Sequence, residues 1–442
     1  MDAAVRFGTD GIRGRAEGEI TVDLAYRLGR AVAQVFDRPA FVGHDTRESS
    51  PPLAAAVLAG LADGGALGIN LGVLPTPGVA VVARDRGGVG VVVSASHNPY
   101  YDNGLKVLGL GGAKLDLATE EALASALGDV AAPRHPLAGP PPVDPTAEAL
   151  YVSHLRALVP DDLSSLHLVV DCANGAASHV ARELFVATGA RVTMLHDQPD
   201  GRNINRGCGS TDVRDVVAAV TGLGADLGLA FDGDADRLVA VDARGVVRDG
   251  DDLMVLFALD LAARSALRGG VVVTSMSNLG LRRALGAVGI EIVETDVGDR
   301  HVLRAMEERS WNFGGEQSGH LIFSDLAPTG DGLLTGLLLA ELVTRRGPLD
   351  ELAEDAWSRV PQALVNVARD LYEEEAVRHL LDEVRERHLV GPDDWRVVVR
   401  PSGTEPVVRV MIEALEAAVV DEFTHALRAR FASTPEAENS PE

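Results

Sequence analysis

"GVVVSASHNPYYDNGLKV", residues 90–107, decides how this chain is read. Its opening, Gly90–Val93, is an apolar β-branched run of the kind used by buried strands. The run stops at two serines, a histidine, an asparagine and a proline. A strand that delivers a polar loop at its carboxyl end is the unit from which open α/β sheets build ligand sites. Three readings of Ser94 and Ser96 stand at this point: a plain strand-to-turn connection, a hydrolase nucleophile, or a serine that carries phosphate. No G-x-S-x-G elbow surrounds either serine, and His97 is a direct chain neighbour, poorly placed to act as a triad base. Ordinary serine hydrolysis is therefore disfavoured.

The same unit recurs along the chain. "ALGINLGV" (66–73) begins a strand, helix and strand that end in "SASHN", and "AVGIEIVE" (287–294) begins another that ends in "GGEQSGH" (314–320). The span from Gly68 to His97 is 29 positions and that from Gly289 to His320 is 31. A third unit runs from "TGARVTML" (188–195) through the helix candidate "TDVRDVVAAVTGLG" (211–224) to "LGLAFDGDADR" (227–237). Apolar runs bounded by Gly and Pro alternate with Ala- and Leu-rich amphipathic stretches, which predicts parallel α/β layers. Three related domains would then aim three loops at one cleft. The proline-rich stretch 131–147 reads as a linker, and "STPEAENSPE" (433–442) as a solvated tail.

Composition limits the function. The chain has 442 residues, 46% of them hydrophobic, and a formal net charge of -25. That charge argues against nucleic acid or an anionic membrane surface as the main partner, because both reward Lys and Arg fields. The N-terminal stretch has no basic segment followed by an apolar core, and no apolar run approaches the roughly 18 residues that span a bilayer. A cytoplasmic protein is expected. Cys172 and Cys208 are the two cysteines. Without C-x-x-C spacing they support neither a disulfide framework nor a thiolate zinc site.

Five stretches carry further chemistry. "DGDADRL" (232–238) offers Asp232, Asp234 and Asp236 at alternate positions, and such crowding calls for a hard divalent cation. An EF-hand is excluded, since its sixth position would be Arg237 and its twelfth Ala243. An acidic surface turn is the plainer alternative, disfavoured because an apolar strand delivers the loop. "RPSGTEP" (400–406) combines Arg400, Ser402, Gly403 and Thr404 into an anion cradle, with a tight turn between strands as its rival. "GGEQSGH" offers Glu316 and Ser318 to adjacent sugar hydroxyls, or is simply a glycine-rich hairpin loop. "FGTDGIRG" (7–14) and "DNGLKV" (102–107) contribute Arg13 and Lys106, which matter only in company. A phosphate on Ser96 would add about -1.5 to -2 charge and would need the cations these loops supply.

Together with "NINRGCGSTD" (203–212), "TGDGLLT" (329–335) and "RPSGTEPVVRVM" (400–411), these motifs resemble the α-D-phosphohexomutase superfamily over nearly the whole chain and in its order. Gln317 and "SASHNP" are similar to its amino-sugar branch; a phosphomannomutase or phosphoglucomutase is the alternative. Ala235 departs from that branch, which more often has Gly there. The resemblance implies an α/β, four-domain architecture: three related mixed α/β domains and a smaller C-terminal α+β phosphate-binding domain around a central cleft. The implied limits are 1–140, 148–248, 249–358 and 362–432, with a tail at 433–442. It implies Ser96 as phosphoserine, and Ser96 with Asp232, Asp234 and Asp236 as Mg²⁺ ligands. Glu316 and Ser318 would contact the sugar. Arg400, Ser402, Gly403, Thr404 and Arg409 would hold the phosphate not being transferred. Arg13, Lys106, Arg237 and His320 would be catalytic, with Lys106 and His320 as proton-transfer candidates, and His97 and Asn98 would shape the loop. A hexose 1,6-bisphosphate, of glucosamine or glucose, is implied as the priming or intermediate species. The implied partner is a small phosphosugar, with no nucleic acid and no membrane, and a homodimer is allowed.

Overall fold

The computed structural model describes residues 11–129, 139–159, 162–388, 390–391, 394–401 and 406–431. The first sheet contains β1 (Ile12–Arg15), β2 (Ala40–His44), β3 (Gly68–Val73), β4 (Val89–Val93) and β5 (Asp102–Leu108), in the order β1-β5-β4-β2-β3. The second contains β6 (His167–Asp171), β7 (Arg191–Leu195), β8 (Leu227–Phe231), β9 (Leu238–Asp242) and β10 (Val247–Arg248), in the order β10-β9-β8-β6-β7. The third contains β11 (Val271–Thr274), β12 (Ile292–Thr295), β13 (Phe313–Gly315) and β14 (Leu321–Phe323), in the order β12-β11-β13-β14. The recurring unit is thus one topology used three times: β5-β4-β2-β3, β9-β8-β6-β7 and β14-β13-β11-β12.

The sheets are mixed, where the alternation of apolar and helical stretches alone predicts parallel ones. β2 pairs in parallel with β3 and β4, β6 with β7 and β8, and β11 with β13. β4/β5, β8/β9 and β13/β14 are antiparallel. Segment length explains this, because residues 94–101, 232–237 and 316–320 fall short of the dozen or more that a parallel crossover needs. The chain must therefore turn back at once. Each of the three polar loops is the connection of such a hairpin, so one topological position carries the serine, the aspartates and the glutamate.

The fourth sheet, β15 (Gln362–Ala368), β16 (Trp395–Pro401) and β17 (Val407–Ala414), is antiparallel in the order β15-β17-β16. The helices Glu374–His388 and Ala417–Phe431 close its own core around Val410, Ile412 and Phe423. The chain divides into two compact units, one of Met1–Thr274 with Val293–Asp355, the other of Ser275–Ile292 with Ala356–Glu442.

The pattern of "SHVARELFVATG" (178–189) predicts a helix along its whole length, but a shorter one forms, with a 3₁₀ turn at Ala176–His179 leading into the helix Ala181–Val186. The Thr188 hydroxyl donates to the Phe185 carbonyl at 2.6 Å, ending the helix before Gly189. Residues 131–138 of the proline-rich stretch and all of 433–442 lie outside the described residues. The remainder of that stretch is tied down, because Asn70 Nδ2 donates to the Pro141 carbonyl at 2.9 Å and the Asp144 N–H to the Asn70 carbonyl at 2.8 Å.

Candidate functional site

Ser96 leaves the end of β4 with φ +52, a left-handed conformation, and is 1% exposed. Its hydroxyl donates to Asp232 Oδ2 at 2.6 Å. His97 Nδ1 comes to 3.3 Å of Ser96 Oγ, nearer than chain adjacency suggests but well beyond the Asp232 contact. The Ser96 N–H donates to Ser94 Oγ at 3.0 Å, and the Ser94 hydroxyl donates in turn to Asp45 Oδ2 at 2.6 Å. Around the loop closes Arg47, fully buried, with Nε on Asp45 Oδ2 at 2.8 Å. Arg47 Nη2 donates to the carbonyls of Ser96 and Asn98, both at 2.8 Å. Its Nη1 donates to those of Pro99 and Asp102. From the second sheet, Asn205 Nδ2 donates to the Ser96 and Asn98 carbonyls at 2.9 and 3.0 Å. Two side chains distant in sequence thus grip one loop by its backbone. Gly233 makes this approach feasible, since a Cβ there would meet the Ser96 carbonyl oxygen at 2.5 Å.

The aspartate loop lies directly against this serine. Asp232, Asp234 and Asp236 are buried, and one oxygen from each falls within 4.8 Å of the others. Asp234 Oδ1 and Asp236 Oδ1 are buried with no hydrogen-bond partner among the described residues. An oxygen-only set of crowded carboxylates with orphaned lone pairs fits a hard divalent cation. Thr76 Oγ1 donates to Asp234 Oδ2 at 2.5 Å, orienting that carboxylate from behind. Burial first, and then the charges of Asp236 and Asp234, push the Asp232 carboxyl well above the usual range. Burial would raise Asp236 too, but His320, Lys106 and Arg237 outweigh it and hold that carboxyl well below the usual range. Ala235 sits at φ +56, so the residue that departs from glycine also bears a conformation that favours glycine.

Three cations face this loop. Lys106 Nζ lies 4.0 Å from Asp234 Oδ2 and 3.8 Å from Asp236 Oδ2. Arg237 Nε is 3.7 Å from Asp236 Oδ1, and His320 Nδ1 is 3.5 Å from Asp236 Oδ2. Burial alone would lower His320, but Asp236, Asp299 and Glu316 raise it, favouring the imidazolium. Gly330 supports the ring, because a Cβ there would fall 2.3 Å from Nε2. The adjacent Asp331 caps the helix Gly332–Arg346 and accepts from the Tyr151 hydroxyl at 2.9 Å. Burial pushes Asp331 up to about 7.

Glu316, buried at the start of the third loop, accepts from the Gly298 N–H at 3.0 Å. Burial and the neighbouring Asp299 raise its carboxyl. Ser318 is exposed at the loop tip, and Gln317 Nε2 donates to Asp251 Oδ2 at 3.1 Å. Arg13 lies on β1 opposite Gly104, beside the strand that carries Lys106. Within the second unit, Arg400 on β16 stands directly opposite Arg409 on β17. Like charges facing each other across strands are unfavourable unless an anion lies between them. Ser402, Gly403 and Thr404 lie outside the described residues.

The structure therefore brings together Ser96, the three aspartates, Lys106, Arg237, His320 and Glu316. The sequence does not single out Asp45, Arg47, Thr76, Asn205 or Asp299, and it leaves the role of Ser94 open. A signal for the first two was present, because "GHDTRES" (43–49) is also a polar run issuing from an apolar strand.

A second group of donors, Asp171, His196 and Cys208, also lies within 4.8 Å. Its oxygens are already engaged: Asp171 Oδ1 accepts from Ala173 N, and Oδ2 from Gly209 N and His196 Nδ1. Burial pushes the Cys208 thiol up to about 12, which keeps the proton on it. This group is a hydrogen-bonded anchor for the loop that carries Asn205. His196 bridges Asp171 at 2.9 Å and Asp215 at 3.1 Å, and the Asp171 hydrogen bond first, then both carboxylate charges, raise it above its ordinary 6.5 despite burial. A raised folded value means that the stabilisation is complete below about pH 6.5 and is lost as pH rises through that value. We expect urea midpoints of wild type and His196→Gln to converge as pH increases from 5.5 to 8.5. A constant gap would show that the charge contributes nothing.

Four family models match: the phosphoglucomutase/phosphomannomutase alpha/beta/alpha domains I (residues 4–132), II (149–245) and III (249–360), and the C-terminal domain (364–430). The phosphoglucosamine mutase of Thermobifida fusca (strain YX) is 48% identical over 421 residues, covering 92% of this chain and 94% of that protein. That of Leifsonia xyli subsp. xyli (strain CTCB07) is 45% identical over 432 residues, covering 93% and 94%. Among solved structures, a phosphoglucomutase/phosphomannomutase family protein from Burkholderia thailandensis superposes with a TM-score of 0.79 at 27% identity, covering 97% of this chain and 98% of that one.

Proposed function

The chain belongs to the phosphoglucomutase/phosphomannomutase family, and on that premise we propose that it interconverts glucosamine 6-phosphate and glucosamine 1-phosphate, the phosphoglucosamine mutase reaction. The observation that carries this reading is the 2.6 Å contact between the Ser96 hydroxyl and Asp232, inside a buried three-aspartate group faced by Lys106, Arg237 and His320. The relatives that share 44–48% identity over most of the chain supply the amino-sugar substrate.

In the cycle we infer, Ser96 carries a phosphoryl group and gives it to O1 of glucosamine 6-phosphate. The Oγ–P bond breaks as the P–O1 bond forms, and the O1 proton leaves to a base. The resulting 1,6-bisphosphate turns end for end and returns its C6 phosphate to Ser96, leaving glucosamine 1-phosphate. Glucosamine or glucose 1,6-bisphosphate would prime a serine that has lost its phosphate. Phosphoserine and three aspartates bring roughly five negative charges together. Mg²⁺, held by Asp232, Asp234 and Asp236 with the Ser96 phosphate, would neutralise part of that charge and polarise the transferring group. Lys106, Arg237 and Arg13 supply the rest of the compensation. His320, favoured as imidazolium, is suited to donate a proton or hydrogen bond to the departing oxygen. Glu316 and Ser318 hold sugar hydroxyls, and Arg400 and Arg409, with Ser402, Gly403 and Thr404, hold the phosphate at rest.

Magnesium retention depends on the residues behind the ligands. Removing the Thr76 hydroxyl that orients Asp234 is expected to weaken Mg²⁺ binding by about 10- to 100-fold in Thr76→Val, read by calorimetric titration. Unchanged affinity would show that the Thr76 hydroxyl does not position Asp234 for the ion.

No helix among the described residues is long and apolar enough to cross a membrane. Two buried free thiols suit a reducing compartment, in line with a cytoplasmic location. Homodimerisation is compatible with this reading and is tested by sedimentation. The deciding experiment is peptide mass spectrometry for phosphate on Ser96, combined with kcat/KM for glucosamine, glucose and mannose phosphates. Phosphate on Ser96 with a preference for the amino sugar is expected. A preference for a neutral sugar moves the protein to the other branch, and release of inorganic phosphate without isomer formation makes it a phosphatase.

A further inference from the structure

A mutase of an amino sugar must hold an ammonium group, and none of the residues above has that task. Asp299 opens the helix Asp299–Arg309 directly after Gly298 and is 7% exposed. Because the Gly298 N–H donates to Glu316 Oε1 at 3.0 Å, the turn bearing Asp299 is fastened to the sugar loop. Asp299 Oδ2 pairs with Lys114 Nζ and lies 3.7 Å from His320 Nε2. Its other oxygen, Oδ1, is buried with no hydrogen-bond partner among the described residues.

A buried acceptor without a donor is costly, and native proteins keep few of them without reason. The surroundings of this oxygen define the chemistry of the missing donor. An ionised carboxylate only accepts, whereas an ammonium group only donates and brings a positive charge. An ammonium donor would give this carboxylate oxygen a charge-assisted hydrogen bond, about twice as strong as one between neutral groups, whereas a neutral hydroxyl would gain less. The geometry points to Asp299 as the residue that recognises the 2-ammonium group of the substrate through Oδ1, an assignment that rests on the amino-sugar reading above. Lys114 fixes the orientation of Asp299 from its other side, and Glu316 remains a contact to sugar hydroxyls. The rival role for Asp299, a carboxylate favouring the positive end of its helix, is indifferent to what the sugar carries at C2.

The test compares kcat/KM for glucosamine 6-phosphate and glucose 6-phosphate, which differ in that substituent, in wild type and Asp299→Asn. The ratio of amino to neutral sugar is expected to fall about 10- to 100-fold, with the larger part of the loss on the amino sugar. Since the equilibrium between the two glucosamine phosphates is fixed, kcat/KM must fall by the same factor in both directions. Asp299→Ser, a smaller uncharged polar side chain at the same first helical position, serves the same comparison if Asp299→Asn fails to fold. A wild type without preference for the amino sugar defeats the functional reading itself. A wild type with that preference, and variants that retain the ratio or lose both activities equally, overturns the assignment of Asp299.

Discussion

Replacing Ser96 by alanine is expected to lower the interconversion of glucosamine phosphates by about 10⁴- to 10⁶-fold, the scale at which an enzyme loses its nucleophile. Phosphate-monoester cleavage is among the slowest uncatalysed reactions, and most of its acceleration comes from charge placed in advance around the transferring group. Here that charge is arranged about one oxygen. Ser96 Oγ lies 2.6 Å from Asp232 Oδ2, and the next hydroxyl on the loop, Ser94 Oγ, is committed to Asp45 at 2.6 Å. Ser94 is therefore no ready substitute acceptor. The alanine variant keeps Arg47, Asn205 and the Gly233 approach, so it should fold with an unfolding midpoint near that of wild type. Steady-state assay in both directions, with intact mass showing one phosphate fewer, checks the prediction. Retention of a tenth of the activity would mean that the phosphoryl group travels by another route.

The second large effect concerns a residue that never touches substrate. Arg47→Ala should destabilise the protein by about 3–5 kcal/mol, the cost of leaving one member of a buried ion pair behind. Asp45, 1% exposed, would keep only its contacts with Ser50 Oγ, Ser94 Oγ and the backbone at 47. Four loop carbonyls would lose a donor as well. Arg47→Lys separates folding from function: it keeps the charge, but a point ammonium cannot span the carbonyls that a planar fork reaches. For that variant the fold should persist while kcat drops on the order of 10-fold with KM nearly unchanged, because a loosened loop misplaces Ser96 without altering the sugar contacts. A urea titration and a kcat-against-KM comparison distinguish the two outcomes. An unchanged kcat in Arg47→Lys would show that Asn205 alone holds the loop.

Much of the active region was legible because its parts are contiguous in sequence. "SASHN", "DGDAD" and "GGEQSGH" each combine an apolar strand with a short polar loop, and both halves of that signal lie within ten residues. Arg47, Asn205 and Asp299 were illegible for the opposite reason. The polar runs "GHDTRES" and "NINRGCGSTD" stand out locally, but their targets do not: Arg47 acts on Ser96, and Asn205 on Ser96 and Asn98, across a long stretch of chain. Parallel layers were expected from the alternation of elements, yet loop lengths, also present in the sequence, require the antiparallel returns.

By itself the sequence determined the α/β class, the threefold repetition of one unit and which residue types the serine, aspartate and glutamate loops present, since periodicity, short loops and residue type are local properties. Only the tertiary structure decided which charges face one another: that Asp236 answers to Lys106, Arg237 and His320, that Arg47 fastens the serine loop, and that one oxygen of Asp299 is left without a donor. The physical reason is that burial and Coulomb interaction depend on distance in space, and only folding brings groups from separate sheets within a few ångströms of each other.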